Sequence, residues 1–383
     1  MAEGLSTKLR IAIDGRKIGD GGIGVYVEHL IAELSTRPEV DLTVLTSSVR
    51  KRPPALGRDI PPQVRVVPTA IAPFSFGEMF RLGAIIDSLG VDLYHSPHFC
   101  LPFGTRTRSV VTVHDLIPLG SSFPLAKRLV TRALLSSSIR RADRIVSVSR
   151  SSERDLFRFL GGRADLMAQI KVIPNVSDPA LLSAPPNNRA DRVRRLVAVI
   201  STDKPHKGLP DLEQAWAGLP AATKQEWSVV VVGQGVNARP SVEGIRFRGA
   251  VSRSELVDLI GTSAGLIVAS REEGFCLPAL DAQLLHTPVI ARPLPVLLEI
   301  LPAGSGVHAI AAGFTVGDLQ DALQTFMVRY DNGKRGGQWP HDDVSTAHLK
   351  RLERTAVVDS LLELYRELLG SRNVAIFQPE VAA

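Results

Sequence analysis

One segment in the second half of the chain carries the densest group of residues that could do chemistry. It reads REEGFCLPALD from Arg271 to Asp281 and follows the apolar run AGLIVAS. Pro278 suits the first turn of a helix, so the pattern predicts a strand, a loop and then a helix. In that arrangement the carboxylate of Glu273 can accept hydrogen bonds from sugar hydroxyls, and Asp281 can accept them from a ribose. An acid favoured by the helix dipole is the simpler interpretation of Asp281.

Backbone amides at the start of the same helix would point at the same space. Amides at a helix N-terminus bind phosphate because they lack partners within the helix and lie at the positive end of its dipole. We therefore predict that the residues that enter this helix bind the phosphates of a ligand. They are Gly274, Phe275, Cys276 and Leu277.

Three further candidates follow predicted strands. Lys207, in KPHKG, carries a charge that suits a departing diphosphate, and a solvated surface lysine is the alternative. His114 follows SVVTV, where an imidazole can hydrogen-bond a sugar hydroxyl, and a histidine satisfied by neighbouring backbone is the alternative. The loop GDGGIG contains Gly21, Gly22 and Gly24, whose backbone can approach a phosphate. A glycine loop without a ligand explains that segment equally well.

The hydrophobic pattern predicts the scaffold that positions these candidates. Short apolar runs alternate with helix-period segments, which indicates parallel strands covered on both faces. The clearest helix places Val27, Leu30, Ile31 and Leu34 on one face. The predicted strands are LRIAID, DLTVLTS, VRVVPT, DLYHSP, SVVTVHD, RIVSVS and IKVIPN, then LVAVIS, WSVVVVG, IRFRGAVS, AGLIVAS and PVIA. Ligands of such doubly wound folds bind outside the carboxyl ends of the strands, where the candidates lie.

A change in composition divides the chain. The stretch SAPPNNRADRVRR has paired prolines, paired asparagines and a charge run, but no apolar period. We predict a Rossmann-like domain over residues 1–183, a linker over 184–195 and a second Rossmann-like domain over 196–370. The last helix, Arg354 to Leu369, can pack back on the first domain, and residues 371–383 form a tail.

The composition excludes several classes of protein. A chain of 383 residues with 44% hydrophobic and 22% charged residues suits two globular domains. Its two cysteines, Cys100 and Cys276, form neither a disulfide framework nor a metal-ligand spacing, so we predict no metal site. The net charge of +6 suits phosphate-bearing partners, but the scattered basic residues argue against nucleic acid. No signal peptide or membrane-spanning run is recognisable, so we expect a cytoplasmic protein.

The segment from Leu125 to Arg144 combines apolar residues with basic ones. A solvated basic helix is the interpretation that we favour. Peripheral contact with an anionic membrane, at its inner face, is the alternative.

The order of eight motifs is similar to that of a known family. They are GGIGVYVEHLIAEL, TVHDLIPL, ADRIVSVSRSSERDL, VIPN, STDKPHKGL, VVVVGQG, FRGAVSRSEL and EEGFCLPALDAQLLHTPVIA. They cover nearly the whole chain, and the last is the most specific. In these motifs the chain resembles the retaining glycosyltransferases of family 4, which have the GT-B architecture of two Rossmann-like domains facing a cleft.

The resemblance implies that the first domain binds the acceptor and that the second, with Gly274, Phe275, Cys276 and Leu277, binds the donor. It also implies a role for each of the other candidates. Glu273 matches the first acid of the family's Glu-seven-residues-Glu motif, which contacts the donor sugar, and Asp281 stands where the ribose-binding Glu is expected. Lys207 matches the diphosphate-binding lysine, and His114 matches the histidine near the transferred sugar. The glycine loop matches the loop near the phosphates. Similar enzymes need neither a metal nor a cofactor.

Several positions depart from the family pattern. Asp281 is one methylene shorter than the usual Glu. Cys276 and His286 replace glycines, and the Cys276 side chain would intrude where backbone usually approaches the donor. Ser201 stands where many members carry an arginine.

We therefore predict a retaining transferase that moves a sugar from a nucleotide diphosphate sugar, with GDP-mannose favoured, to a glycan or lipid-linked acceptor in polysaccharide or glycoconjugate assembly. The departures motivate one alternative, a catalytically degenerate GT-B protein that acts as a binding or partner subunit. Retention of Glu273, Lys207 and His114 argues against it, since a drifting site should lose charged residues first.

Overall fold

Two parallel sheets form the framework of the computed structural model, which describes residues 8–48, 61–175, 181, 193–301, 308–334 and 352–375. The chain divides into two compact units. Residues 1–176 and 352–383 form the first unit, and residues 177–351 form the second.

The first unit contains the seven strands that its apolar runs predict. They are β1 (Leu9–Asp14), β2 (Val40–Ser47), β3 (Arg65–Thr69), β4 (Leu93–Ser96), β5 (Arg108–Val113), β6 (Arg144–Ser147) and β7 (Ile170–Val172). They pair in the order β3-β2-β1-β4-β5-β6-β7, and every pair is parallel. The central strands are apolar along their length because helices cover both faces of the sheet.

Seven helices accompany this sheet within the described residues. They are α1 (Gly21–Leu34), α2 (Phe76–Phe80), α3 (Leu82–Ser88), α4 (Leu125–Arg141), α5 (Arg150–Phe159), α6 (Ala164–Met167) and, at the end of the chain, α13 (Arg354–Ala375). The apolar face predicted for α1 packs in one core with Leu361 and Tyr365 of α13. A separate core on the same unit contains Ile86 of α3 and Leu135 of α4.

The second unit repeats the plan with six strands. They are β8 (Val193–Thr202), β9 (Ser228–Gln234), β10 (Ile245–Arg248), β11 (Ser263–Val268), β12 (Val289–Ala291) and β13 (Ala309–Ile310). They pair in the order β10-β9-β8-β11-β12-β13, again in parallel. The first five match predicted strands, whereas the two-residue β13 is too short to show a periodic pattern.

Six helices of the second unit lie in the described part of the chain. They are α7 (Leu209–Ala217), α8 (Ala221–Glu226), α9 (Arg253–Thr262), α10 (Leu277–Leu284), α11 (Pro295–Ile300) and α12 (Val316–Lys334). Trp216 of α7 and Phe326 of α12 are fully buried in the core of this unit. Ser252 is the N-cap of α9, because its hydroxyl accepts from the backbone N–H of Glu255 at 3.2 Å.

Three boundaries differ from the predicted ones. Strand β8 begins at Val193, inside the linker predicted over 184–195. Val193 pairs with Ser263 of β11, although the two residues that follow it are arginines. Residues 184–192 lie outside the described residues. The second unit ends at Arg351 rather than at residue 370, because α13 packs on the first unit. That helix extends to Ala375, so part of the predicted tail 371–383 is helical.

None of the helices in the described ranges is long and apolar enough to cross a membrane.

Candidate active site

Lys207 and Glu273 come together at the carboxyl edge of the second sheet. Lys207 ends a short 3-10 helix after β8, and Glu273 lies in the loop between β11 and α10. The Lys207 Nζ donates to Glu273 Oε1 at 2.8 Å, and the Ser270 hydroxyl donates to the same oxygen at 2.7 Å. Their side chains are 16% and 12% exposed, so the pair is shielded from bulk water without being sealed. Two residues predicted separately therefore form one charged pair.

Gly208 allows the Lys207 segment to approach β11. Its φ is 66°, and a Cβ atom at this position would lie 2.1 Å from the carbonyl oxygen of Ala269, so only glycine fits. The Arg271 amide also donates to the His206 carbonyl at 2.7 Å. Burial lowers the pKa of His206 to about 4, with a further contribution from Lys207, so its ring is neutral at pH 7.

The loop that carries Glu273 leads directly into α10. Cys276 is the N-cap residue, Leu277 is the first helical residue, and a proline follows in the first turn. Phe275 and Cys276 are buried, and Gly274 links them to Glu273. The N-terminus of α10 therefore opens beside the Lys207–Glu273 pair, where its amides and dipole can bind an anion.

Asp281 lies one turn into α10 and is held by Arg253. The Arg253 Nη1 and Nη2 atoms donate to the two carboxylate oxygens of Asp281 at 2.6 and 2.8 Å. Arg253 is the first residue of α9, which follows β10 at the same edge of the sheet. The carboxylate predicted to accept ribose hydroxyls is therefore already bound by a guanidinium.

The glycine loop and His114 lie at the carboxyl edge of the first sheet. Helix α1 begins at Gly21, whose φ is 58°, and Gly22 follows it in the exposed first turn. A Cβ atom on Gly24 would lie 2.7 Å from the backbone nitrogen of Gly19, so glycine lets the loop pack against the helix.

The hydrogen bond of His114 decides which ring nitrogen carries the proton. Its Nε2 lies 2.9 Å from the carbonyl oxygen of Pro97. A carbonyl only accepts, so Nε2 carries hydrogen and Nδ1 is the acceptor nitrogen of the neutral ring. Burial lowers the pKa of His114 to about 4, which keeps this form at neutral pH.

Family models match both units of the chain. The model described as Glycosyltransferase Family 4 matches residues 20–181, and the model described as Glycosyl transferases group 1 matches residues 184–335. The chain belongs to glycosyltransferase family 4.

Relatives in this family include several mannosyltransferases. The chain is 26% identical over 253 residues to the serotype-specific mannosyltransferase WbdA of Escherichia coli, covering 57% of this chain but only 30% of WbdA. It is 26% identical over 227 residues to the O-antigen chain mannosyltransferase B of Escherichia coli, covering 55% of this chain and 59% of that one. A D-inositol 3-phosphate glycosyltransferase of Acidothermus cellulolyticus is 24% identical, covering 94% of this chain and 88% of that one.

Solved structures confirm the predicted class of fold, two Rossmann-like domains with parallel sheets. Anabaena HepE in complex with UDP and glucose aligns with a TM-score of 0.67 at 17% identity, covering 93% of this chain and 98% of that one. Sucrose-phosphate synthase from Thermosynechococcus elongatus aligns with a TM-score of 0.69 at 17% identity, covering 95% of this chain and 100% of that one.

Two family glycines are replaced where the backbone still has the glycine conformation. Cys276 has φ 71° and His286 has φ 53°, so both lie in the left-handed region. That conformation costs a residue with a side chain about 1–2 kcal/mol. Burial raises the pKa of the Cys276 thiol well above its usual range, so the side chain remains an uncharged thiol.

Among the described residues, one group has a ligand arrangement that could hold a metal ion. Potential ligand atoms of Asp14, Glu78 and His98 lie within 4.8 Å of one another. However, the Arg16 guanidinium donates to both carboxylates, at 2.5 Å to Asp14 Oδ2. It also donates to the Ile71 carbonyl at 3.1 Å. We interpret this group as a buried ion-pair network that anchors the loop before α2, with Arg16 supplying the positive charge.

Arg253 and Arg292 are charged residues of the second unit that the sequence interpretation missed. Arg253 begins a helix, where the dipole disfavours a cation, and this unfavourable placement is a signal that it has an acidic partner. Arg292 follows β12, is fully buried, and pairs with Asp211 at 2.7 Å. Nothing in the local sequence distinguishes Arg292 from a solvated arginine.

Proposed function

We propose that the protein is a retaining glycosyltransferase that transfers a sugar from a nucleoside diphosphate sugar to a hydroxyl of a glycan or lipid-linked acceptor. The observation that carries this proposal is the Lys207–Glu273–Ser270 group beside the N-terminus of α10. It combines a carboxylate for sugar hydroxyls with a cation and helix amides for a diphosphate.

In the proposed reaction, the bond between the anomeric carbon and the diphosphate breaks, and the acceptor oxygen bonds to that carbon. The acceptor proton passes to the departing phosphate oxygen. Lys207 and the start of α10 stabilise the negative charge that develops on the diphosphate, so no metal is required. His114 would accept a hydrogen bond from a sugar hydroxyl through Nδ1.

The relatives support a sugar nucleotide and favour mannose. HepE has been solved with UDP and glucose, and two of the three relatives named above carry the name mannosyltransferase. We propose GDP-mannose as the donor and polysaccharide or glycoconjugate assembly as the process. Peripheral contact of the α4 segment with an anionic membrane would suit a lipid-linked acceptor.

A second candidate is a catalytically degenerate protein that binds a partner. The observation that favours it is the bidentate contact of Arg253 with Asp281, which occupies the carboxylate expected to meet the nucleotide. The intact Lys207–Glu273 pair favours the transferase.

Thermal unfolding with a panel of nucleoside diphosphates and their sugars tests the proposal. A ligand at a hundred times its Kd adds about 2.7 kcal/mol to stability, which a melting curve resolves. We expect the nucleotides of one base to raise the melting temperature. This rise should be lost in Lys207→Ala and kept in the control Lys224→Ala on α8. No shift with any nucleotide would instead support the degenerate protein.

A further inference from the structure

Arg253 and Asp281 form a bidentate side-chain contact at the carboxyl edge of the second sheet. The guanidinium meets the carboxylate edge to edge, with one N–H on each oxygen. The Asp281 side chain is 5% exposed, whereas that of Arg253 is 37% exposed. The acid is therefore covered, and the arginine is the member of the pair that solvent and ligands reach.

Its place along α10 assigns the pair to one part of the donor. Glu273 precedes the helix, and the diphosphate is proposed to bind at the helix start. Asp281 lies four residues beyond Leu277, which is about 6 Å along the helix axis at 1.5 Å per residue. Arg253 reaches this point from the start of α9. The pair thus lies beyond the phosphates and away from the sugar-binding acid.

The chemistry of a guanidinium fits a nucleoside at that point. It is planar, can stack on an aromatic base, and carries five N–H donors for carbonyl and hydroxyl oxygens. The Asp281 carboxylate balances its charge and fixes its plane through two charge-assisted hydrogen bonds.

We infer that Arg253, rather than the carboxylate of Asp281, contacts the nucleoside of the donor, and that Asp281 is a positioning residue acting through Arg253. This inference rests on the proposed function, since it assigns one part of the same donor site. At this position a hydrogen-bond-donating guanidinium, held by a carboxylate, then takes the place of the hydrogen-bond-accepting carboxylate that the sequence predicts.

The test compares nucleoside diphosphates with a probe that lacks the nucleoside. The affinities of GDP and UDP are measured by calorimetry, and inorganic pyrophosphate serves as the probe that lacks base and ribose. We expect Arg253→Ala to weaken binding of the preferred nucleotide at least about tenfold, the size of a hydrogen bond to a charged group. Pyrophosphate binding should stay unchanged. Lys207→Ala should weaken the binding of both the preferred nucleotide and pyrophosphate.

Three further variants separate positioning from folding. Arg253→Lys keeps the charge but loses the planar fork, so it should weaken the nucleotide and spare pyrophosphate. Asp281→Asn should do the same to a smaller degree, and the double variant Arg253→Ala/Asp281→Asn should be no weaker than Arg253→Ala alone. Arg194→Ala is the matched control, because Arg194 has a similar exposure of 38% and also pairs with an acid, Asp331.

Two outcomes would overturn the inference. Equal losses for nucleotide and pyrophosphate in Arg253→Ala would make Arg253 structural. Unchanged or tighter binding of the nucleotide in that variant would show that Asp281 contacts the nucleoside and that Arg253 only shields it. If the wild-type protein binds neither nucleotide, the proposed function itself fails, and this result is distinct from both.

Discussion

The ring of Tyr26 meets the ring of His114 edge to face, with centroids 5.1 Å apart. Tyr26 comes from α1, just after the glycine loop, and His114 follows β5. The Tyr26 hydroxyl also lies 3.3 Å from the hydroxyl of Thr112. Tyr26 therefore holds the imidazole while the Pro97 carbonyl selects its tautomer.

We expect the aromatic contact of Tyr26, rather than its hydroxyl, to matter for His114. Tyr26→Leu removes the ring contact and should lower kcat/KM by up to about tenfold, since an aromatic pair contributes roughly 0.5–1.5 kcal/mol. Tyr26→Phe keeps the ring and serves as the control. The measurement is donor turnover with the nucleotide identified by melting curves. An equal loss in both variants would show that the hydroxyl is what positions the site.

Glu273 should be separable from its neighbour Glu272. Glu273→Gln removes the charge that pairs with Lys207 and should lower kcat by about 10²-fold, as the loss of one transition-state contact does elsewhere. Glu272 is exposed, so Glu272→Gln should keep its activity. Steady-state kinetics of both variants provide the comparison. Full activity in Glu273→Gln would remove this acid from the mechanism.

The buried network around Arg16 should dominate the stability of the first unit. Arg16 and Asp14 have no exposed side-chain surface, and Arg16 holds the pKa of Asp14 far below its usual range against the opposing effect of burial. Arg16→Met leaves two acids without their cation and should cost about 3–5 kcal/mol. Arg10→Met breaks an exposed pair with Asp92 and should change the free energy of unfolding far less, because solvent screens such a pair. Urea unfolding measures both, and similar values would contradict this interpretation.

Acid should destabilise the protein through its buried histidines. Burial lowers the pKa of His308 to about 4, while an unfolded histidine titrates near 6.5. Between these values only the unfolded chain binds the proton, so the free energy of unfolding falls as the pH drops from 6.5 to 4. One such proton is worth about 1.4 kcal/mol per pH unit.

His308→Gln isolates one of these protons. His308 accepts from the Val289 amide at 3.0 Å, and its other nitrogen lies 3.1 Å from Gln283 Oε1. A glutamine amide can replace both contacts but does not titrate. Urea unfolding at pH 7.5, 6.0 and 5.0 should therefore show a shallower acid loss in this variant. An unchanged slope would mean that His308 is protonated when folded.

Cys276 should tolerate glycine better than valine. Cys276→Gly relieves the left-handed backbone, although it also loosens the unfolded chain, so the net change should stay within about 1 kcal/mol. Cys276→Val places a β-branched side chain at φ 71° and should destabilise the protein by more. Melting temperatures of the two variants test this order. A valine variant as stable as the glycine variant would show that the loop relaxes.

Local patterns in the amino-acid sequence were enough to predict the strands and to order the motifs. The apolar runs identified all seven strands of the first sheet, most clearly the central ones, because strands buried on both faces must be apolar along their length. The N-cap bond of Ser252 is local as well, because its two partners are three residues apart. Glu273, Lys207 and His114 could be proposed because each follows a strand, and ligands bind at the carboxyl edge of each parallel sheet.

The contacts between side chains that are distant in sequence could not be predicted in this way. Arg253 and Asp281 are 28 positions apart, and Arg16 meets Glu78 across 62. Such pairs depend on how helices pack on the sheets, and an isolated arginine or acid has no local pattern that names its partner. The same reason explains why the sequence left open which domain receives α13, which packs in the core of the first unit. Its apolar face has a helical period, but the period does not say which core the face contacts.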